Sequence, residues 1–326
     1  MTSSYNHSTA LIGCGDWGKN IARTLGKMGA LSAIVDPSER VKTLAQDLKV
    51  SLLTLEDVLA DTSIKGVIIA TPTPTHFSLA MQALESGKHV FVEKPLVTEA
   101  KEIDALQKIA SEKGLTLMVG HLLLYHKAFQ KLVSWVQDGK LGDLISIETH
   151  RKNLGKIHPH EGVLWDLGPH DFSMVLSLLG SLPKKAFSCS KSHAYKEKPD
   201  VQSILLQYDQ GPFVQVNLSR LHPVKEQKVI VSGTAGMAVF DDTKPWEEKL
   251  VFYPSYFVKE EDALSIGVPE KEMMEPSEPL REEMNHFVEC CANQTTPLTP
   301  AAQAKEVLSI IRAAEDSEET KSWSQL

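Results

Sequence analysis

The stretch ALIGCGDWG, residues 10–18, places glycines at positions 13, 15 and 18 directly behind an apolar run. This GxGxxG spacing is typical of a loop that binds the pyrophosphate of a dinucleotide. In such a loop Gly13 allows a tight turn, Gly15 lets the backbone approach the phosphates, and Gly18 lets the next helix pack on the sheet. The sequence therefore predicts that a helix presents its N-terminus to a phosphate group here.

The residues that follow this loop strengthen the prediction. Residues 16–30 have the periodicity of an amphipathic helix, and residues 31–35 read as a second buried strand that ends at Asp36. An acid at that point can accept hydrogen bonds from the ribose hydroxyls of an adenosine, and it repels a 2'-phosphate. We therefore expect NAD rather than NADP. An ordinary strand-turn-helix, in which the glycines serve packing alone, explains the turn but not the acid.

Composition narrows the class of protein. A chain of 326 residues exceeds the size at which one hydrophobic core usually stops growing, which favours two domains. Its formal net charge of -8, without a long basic face, argues against nucleic-acid binding. Neither a signal-like N-terminus nor a membrane-spanning apolar run is seen, so we expect a cytoplasmic protein without a membrane partner. The four cysteines lack zinc-site or disulfide spacing, and no metal is predicted.

Up to residue 119, short apolar runs alternate with helical patterns. This alternation predicts an α/β domain of the Rossmann type, with a doubly wound parallel sheet. Ligands bind such sheets beyond the carboxyl ends of the strands, so the loops after the strands are the candidate binding regions. The runs that read as strands are residues 31–35, 66–70, 89–92 and 115–119.

Two of those loops carry candidate residues. Residues 71–76, TPTPTH, contain two prolines that end the preceding strand, and the loop is predicted to lie under the cofactor. From spacing alone, His76 is better read as a helix-capping or solvent-exposed histidine. Lys94, which lies between Glu93 and Pro95, can reach over the nicotinamide toward a substrate oxygen. A lysine at a strand end is, however, more often a solvated surface residue.

Beyond residue 122 the pattern changes to several strands in succession, which predicts an α+β domain with an open, mainly antiparallel sheet. We accordingly expect a dinucleotide-binding domain at residues 1–122 and a substrate-binding and oligomerisation domain at 123–326. A helix near residues 164–179 precedes most of the strands, and the polar tail at 316–326 is expected to fray.

Residues 150–160, HRKNLGKIHPH, are rich in positive charge and contain no acid. In a protein of negative net charge, such a basic segment suggests an anionic ligand, and Arg151 can clamp a phosphate through two hydrogen bonds. A solvated loop explains the composition equally well, so both interpretations stay open for Arg151 and Lys156.

Residues 165–171, WDLGPHD, open the predicted helix of the second domain. Asp166 and His170 are four residues apart and share one face if both are helical. A carboxylate beside an imidazole can hold and tune a general base. On spacing alone the better interpretation is structural, with Asp166 as the helix N-cap and His170 as a satisfied core histidine.

The motifs, taken in order, resemble those of the glucose-fructose oxidoreductase and inositol dehydrogenase (Gfo/Idh/MocA) family, and the resemblance covers nearly the whole chain. They are GCGDWG at 13–18, Asp36, ATPTPTHF at 70–77, VEKP at 92–95 and DLGPHDFSMVLSLLG at 166–180. The family's second signature has the form D-x-G-x-H-x-x-D. Ser173 stands where that signature has its second aspartate, so the role of the aspartate in relatives is in doubt here.

The resemblance implies a Rossmann domain followed by an α+β domain whose open sheet faces substrate on one side and builds homo-oligomers, dimers or tetramers, with the other. It implies catalysis by Lys94 and His170 with Asp166 as companion. The cofactor site then comprises Gly13, Gly15, Asp16, Trp17, Gly18, Asp36, Thr71, Pro72, His76, Glu93 and Lys94. The substrate site comprises Tyr125, Arg151, Asn153, Lys156, Trp165, Asp166 and His170.

Residues 153–171 are similar, more narrowly, to members that oxidise the 3-hydroxyl of UDP-N-acetylglucosamine and supply the ketone to a partner aminotransferase. Two alternatives remain: a dehydrogenase of a free sugar or inositol, and an NAD-binding sensor without turnover. The sensor is disfavoured because a pure binding protein needs no paired base and cation.

Overall fold

The computed structural model describes residues 8–155, 161–258 and 263–326, which divide into two compact units. The first unit contains the chain up to residue 122 together with residues 278–305. The second unit contains residues 123–277 and 306–326. Residues 278–305 are therefore packed with residues 8–122, although they lie far from them in the sequence.

The first unit is built on a six-stranded sheet in which each pair of neighbouring strands runs parallel, in the order β3-β2-β1-β4-β5-β6. This confirms the predicted Rossmann domain. Its elements are β1 (Thr9–Ile12), α1 (Gly18–Met28), β2 (Leu31–Val35), α2 (Val41–Leu48), β3 (Ser51–Leu52), α3 (Leu55–Ala60), β4 (Gly66–Ile69), α4 (His76–Glu85), β5 (His89–Glu93), α5 (Ala100–Glu112) and β6 (Leu117–Gly120).

Three strands of this sheet are explained by their apolar sequences. Residues of β1, β4 and β6 are buried at every position, and they are almost all aliphatic or glycine. A strand covered on both faces cannot alternate apolar with polar residues, so it reads as a continuous apolar run. Their carboxyl ends all reach one edge of the sheet, and the loops after β1, β2, β4, β5 and β6 lie there.

The helix α8 (Pro279–Asn293) completes the first unit. The ring of Phe287 packs edge-on against Phe91 of β5 with centroids 5.8 Å apart. A Cβ added at Gly66 of β4 would lie 3.1 Å from the Phe287 ring, so the helix packs directly on the bare backbone of that strand. Farther along, Val119 N donates to Thr299 O at 3.0 Å.

The second unit holds a ten-stranded sheet with the path β14-β13-β12-β11-β7-β10-β9-β8-β16, and β15 pairs with β13. The pair β7 and β10 is parallel and the other described pairs are antiparallel, which confirms the predicted mixed, mainly antiparallel sheet. The elements are α6 (Lys127–Gln137), β7 (Leu144–Leu154), α7 (Val163–Leu179), β8 (Lys185–Lys191), β9 (Val201–Gln207), β10 (Phe213–Ser219), β11 (Leu221–Gly233), β12 (Gly236–Asp241), β13 (Leu250–Val258), β14 (Ala263–Ile266), β15 (Glu270–Lys271), α9 (Ala301–Thr320) from residue 306 onward, and β16 (Ser324–Gln325).

Helix α7 covers one face of this sheet. On β7, residues 147, 149 and 151 are buried while the residues between them are partly exposed. A Cβ added at Gly168 of α7 would lie 3.6 Å from Leu218 of β10, an ordinary van der Waals distance, so this face of the helix packs on the sheet. The buried face of β7 therefore lies toward the helix that carries Asp166 and His170.

The end of the chain is ordered, and the expectation of a frayed tail is wrong. Helix α9 continues to Thr320, and Ser324 and Gln325 pair with β8. The hydroxyl of Ser317 is buried and accepts a hydrogen bond from Ser188 N at 2.9 Å. Strand pairing and a buried hydroxyl fix a polar segment that composition alone suggested would be loose. No helix among the described residues is long and apolar enough to cross a bilayer.

We predict that Phe287→Ala lowers the free energy of unfolding by about 3–5 kcal/mol, because the variant leaves a cavity between α8 and the sheet. Urea denaturation measures this change. Phe213→Ala is the control, since that ring is 52% exposed and its loss is expected to cost little. Equal small effects for the two variants would contradict the assignment of α8 to the first unit.

Candidate active site

The glycine loop of the first unit is shaped by close backbone contacts. Gly13 has φ of +89°, and a Cβ there would lie 2.7 Å from Ala70 O. A Cβ at Gly18 would lie 2.3 Å from Gly13 O, so α1 can start here only with glycine. At Gly15 no atom lies within 4 Å of an added Cβ. Because the protein itself leaves this position open, the requirement for glycine fits the close approach of a bound pyrophosphate.

The N-terminus of helix α1 is not capped by the side chain of its N-cap residue. Trp17 occupies the N-cap position of α1 without a side-chain capping hydrogen bond, and the first turn contains no acid. The N–H groups at a helix start and the helix dipole both favour an anion when no side chain caps them. The loop from Gly13 to Gly18 therefore fits a dinucleotide phosphate.

Asp36, at the end of β2, lies against this loop. One carboxylate oxygen accepts a hydrogen bond from Cys14 N at 2.6 Å, and the other accepts one from Ser38 N at 2.8 Å. These bonds fix the orientation of the carboxylate. An ionised carboxylate has about four acceptor positions, so two remain for the ribose hydroxyls of a dinucleotide.

His76 joins two loops at the edge of the sheet. Its ring is buried, with Nδ1 2.9 Å from Pro95 O and Nε2 2.9 Å from Thr71 O. The interpretation of His76 as a solvent-exposed histidine is therefore wrong. Thr71 also pairs its hydroxyl with that of Thr75 at 2.7 Å, and Pro72 precedes a short 3-10 turn. Contact of these residues with a cofactor stays a prediction.

Glu93 connects the glycine loop to Lys94. The indole N–H of Trp17 donates to Glu93 Oε1 at 2.6 Å, and Lys94 N donates to Glu93 Oε2 at 3.2 Å. A Cβ added at Gly120 of β6 would lie 2.9 Å from the same carboxylate, so the bare glycine makes room for it. Lys94 thus follows the last residue of β5, at the carboxyl edge of the sheet where Rossmann domains bind ligands.

A second buried carboxyl group, Glu283 of α8, faces this cluster. Burial raises the pKa of Glu93, and burial together with the charge of Glu93 raises the pKa of Glu283 well above its usual value. Two such groups cannot both ionise at neutral pH without strong repulsion. The hydrogen bonds that Glu93 accepts from Trp17 and from Lys94 N act against the rise in its own pKa, whereas the charge of Glu93 adds to the rise in the pKa of Glu283.

Glu283 and His121 lie outside every motif recognised in the sequence. Glu283 lies next to the buried Met284 and four residues before the buried Phe287. An acid on the apolar face of a helix is the sequence feature that could have indicated a buried carboxyl group here. His121 directly follows β6, and its ring is buried. Burial and the neighbouring charge of Lys94 lower the pKa of His121 to about 4, so the ring is neutral at physiological pH.

In the second unit, Asp166 and His170 both lie within α7. Gly162 is the N-cap of that helix, so the interpretation of Asp166 as the cap is wrong. The two side chains are one turn apart and partly exposed, whereas most neighbouring positions are buried. The residue in the place of the family aspartate, Ser173, donates its hydroxyl to His170 O at 2.9 Å. Its hydroxyl therefore bonds within its own helix.

Arg151 is buried on the α7 side of β7. Its Nε donates to a carboxylate oxygen of Asp171, and the two side chains are 7% and 0% exposed. A solvated loop is therefore the wrong description of Arg151, and its contact with an anionic ligand stays a prediction. Lys152 pairs instead with Glu226 at 3.2 Å. Lys156 and the rest of residues 156–160 lie outside the described residues.

The other predicted substrate residues are also in the second unit. Trp165 donates its indole N–H to Glu315 at 2.7 Å, and the guanidinium of Arg312 lies 5.2 Å from its ring centroid. Tyr125 is buried at the end of a short 3-10 helix, and Asn153 lies near the end of β7, partly exposed. Among the residues that the structure describes, no group of three His, Cys, Asp or Glu side chains could hold a metal.

Comparison with known proteins agrees with this geometry. The profile described as "Oxidoreductase family, NAD-binding Rossmann fold" matches residues 8–121, and the profile of the GFO/IDH/MocA C-terminal domain matches residues 129–239. The chain belongs to the GFO/IDH/MocA oxidoreductase family. The resemblance inferred from the motifs is thereby confirmed.

Members of this family that resemble the chain act on different substrates. The UDP-N-acetylglucosamine 3-dehydrogenase of Acidithiobacillus ferrooxidans is 28% identical over 227 residues, 68% of this chain and 70% of that protein. The scyllo-inositol 2-dehydrogenase (NAD(+)) of Bacillus subtilis is 27% identical over 337 aligned residues, covering 94% of this chain and 93% of that protein. The solved structure of the Acidithiobacillus enzyme has a TM-score of 0.83 at 23% identity, covers 96% of this chain and 97% of its own, and supports the same fold.

We predict that Arg151→Met lowers the free energy of unfolding by about 3–5 kcal/mol, because it leaves Asp171 buried without its cation. Lys152→Met is the matched control on the same strand, where loss of a more exposed pair costs at most about 1 kcal/mol. Urea denaturation without ligand measures both variants. A ligand-free stability of Arg151→Met equal to wild type would show that Arg151 serves a ligand rather than the fold.

Proposed function

We propose that this GFO/IDH/MocA protein is an NAD-dependent dehydrogenase that oxidises a secondary ring hydroxyl of a sugar to a ketone. The observation that supports this most is the presence of Asp166 and His170 on one face of α7, in a chain whose Rossmann unit carries Lys94 at its ligand-binding edge. A sensor that only binds NAD would need neither a carboxylate-imidazole pair nor a cation at that edge.

Each proposed residue has one chemical task. His170 accepts the proton of the substrate hydroxyl, and Asp166, one helical turn before it, orients the imidazole and stabilises its charged form. Lys94 hydrogen-bonds the same oxygen and stabilises the negative charge that develops on it. Bound NAD supplies the hydride acceptor for the carbon. Glu93, through its bond to Lys94 N, fixes the backbone from which the lysine extends.

As substrate we propose the 3-hydroxyl of UDP-N-acetylglucosamine. Support comes from the resemblance of residues 153–171 to enzymes of that activity and from the 28% identical Acidithiobacillus relative. The ketone product is suited to an aminotransferase, and we propose a homo-oligomer, as the family commonly forms. A free sugar or inositol is the second candidate, because Arg151 is already paired with Asp171 and the inositol dehydrogenase aligns over a larger share of the chain.

The cofactor is tested through Asp36. Wild type is expected to bind NAD more tightly than NADP, because the carboxylate accepts from ribose hydroxyls and repels a 2'-phosphate. Asp36→Ala is expected to weaken NAD binding by roughly 10-fold, about the value of one charged hydrogen bond, and to lose discrimination against NADP. Calorimetric titration of both dinucleotides measures this, with the exposed Glu39→Ala as control. Tighter binding of NADP to wild type would overturn the assignment.

The reaction is tested by NAD reduction with UDP-N-acetylglucosamine, free N-acetylglucosamine and scyllo-inositol as separate substrates. Lys94→Met and His170→Ala are each expected to lower kcat by about 100- to 10,000-fold while NAD binding survives, since both act mainly in the transition state. Wild-type activity is expected to fall at acidic pH as His170 becomes protonated, and this dependence is expected to vanish in His170→Ala.

Lys101→Met, an exposed position on α5, is the control for loss of a lysine. Turnover of inositol without turnover of the nucleotide sugar would select the second candidate. Near wild-type rates in both Lys94→Met and His170→Ala would reject the mechanism for either substrate.

A further inference from the structure

His121 occupies a position beside Lys94. Strands β5 and β6 are parallel, and Glu93 is opposite Gly120 in their register. Lys94 and His121 are the next residues of the two strands, so both leave the sheet at its carboxyl edge. The backbone N–H of His121 donates to Val119 O at 2.9 Å, so the chain turns sharply at this point. The imidazole therefore lies at the edge where a Rossmann sheet binds its ligands.

The ring of His121 is buried without the hydrogen bonds that buried rings normally make. It is 2% exposed, and neither Nδ1 nor Nε2 has a hydrogen-bond partner among the described residues. Other buried histidines of the chain are satisfied: His89 accepts from Thr116 N at 3.0 Å, and His126 accepts from Ala128 N at 3.1 Å. Burying a polar group without a partner costs stability, so its retention calls for a ligand or another compensating role.

Burial and the positive charge of Lys94 keep the ring of His121 neutral, with burial as the larger cause. Two buried carboxyl groups belong to the same cluster: Glu93, which accepts from Trp17 and from Lys94 N, and Glu283. Burial raises the pKa of both carboxyl groups. A neutral imidazole offers one N–H donor and one nitrogen acceptor at the same time.

We propose that His121 is a ligand-contacting residue, whose neutral ring hydrogen-bonds an uncharged group bearing both a donor and an acceptor. Within the proposed function, on which this inference rests, two such groups come to this edge: a hydroxyl of the sugar and the carboxamide of the nicotinamide. Lys94 supplies the positive charge there, and His121 supplies uncharged hydrogen bonds. It is a different role from that of His170, since a ring that resists protonation is a poor proton acceptor.

The test compares His121→Phe, which keeps the ring shape and removes both nitrogens, with His121→Gln, which restores a donor and an acceptor. His89→Phe is the matched control, a buried histidine of the same unit whose nitrogen is already bonded. Without ligand, His121→Phe is expected to melt at the same temperature as wild type or a few degrees higher, because an unsatisfied polar group is removed. His89→Phe is expected to melt lower.

His121→Phe is expected to bind its ligand about 10- to 100-fold more weakly than wild type, the range for one hydrogen bond to a buried group. His121→Gln is expected to recover part of that affinity. Calorimetric titration with NADH and with UDP-N-acetylglucosamine identifies the source of the contact. If His121→Phe binds NADH more weakly than wild type, the contact is with the nicotinamide carboxamide. If it binds the sugar more weakly, or has a raised KM for it, the contact is with a sugar hydroxyl.

Unfolding measured against pH gives a readout that does not depend on activity. Because the pKa of His121 in the folded protein lies below its usual 6.5, at about 4, the unfolded chain takes up the proton first as pH falls. Stability is therefore lost between pH 6.5 and 4, and His121→Phe is expected to lose less over that interval.

Equal binding of NADH and of the sugar by His121→Phe and wild type, with a melting temperature lowered as in His89→Phe, would overturn the inference and assign His121 to the core. Failure of the proposed function gives a different result: wild type binds NADH but neither binds nor oxidises UDP-N-acetylglucosamine. In that case the comparison is made with NADH and with whichever polyol the wild type oxidises.

Discussion

The ligand-binding edge of the first unit depends on the hydrogen bonds that the carboxylate of Glu93 accepts. It accepts one hydrogen bond from the indole of Trp17, in the glycine loop, and another from the backbone of Lys94. A bound dinucleotide would engage the first of these regions through its phosphates and bring its nicotinamide toward the second. The hydrogen bond between Trp17 and Glu93 thus joins two parts of the chain that are 76 residues apart. Burial raises the pKa of Glu93 and of the neighbouring Glu283, so a second negative charge in this cluster is disfavoured.

Most of the fold could be predicted from local sequence patterns. The buried parallel strands read as continuous apolar runs because both faces are covered, and the succession of strands beyond residue 122 predicted the open sheet of the second unit. What those signals could not reveal was long-range packing. Nothing local distinguishes α8 from a helix of the second unit, because its place is decided by the fit of Phe287 against Phe91 and the bare backbone of Gly66. The ordered tail likewise depends on pairing with β8, more than a hundred residues earlier.

The candidate site divides in the same way. Glycine spacing, Asp36, Lys94 and the Asp166-His170 pair were accessible because each belongs to a short motif with a stated chemical purpose. The sequence left Arg151 open between a ligand site and a solvated loop, because it could not show that this side chain lies on the buried side of β7, against Asp171. Glu283 and His121 belong to no motif. They become visible only when burial, charge and missing hydrogen bonds are considered together, which requires coordinates.

The return of residues 278–305 to the first unit has a consequence for how the protein is made. Domains usually fold in order as the chain leaves the ribosome, N-terminal domain first. Here the first unit begins with β1 yet lacks α8, and with it the ring of Phe287, until strands β7 to β15 have been synthesised. The contacts of Phe287 with Phe91 and Gly66 therefore form only after those strands have left the ribosome. The unit that begins the chain cannot complete its packing before the second unit has been made.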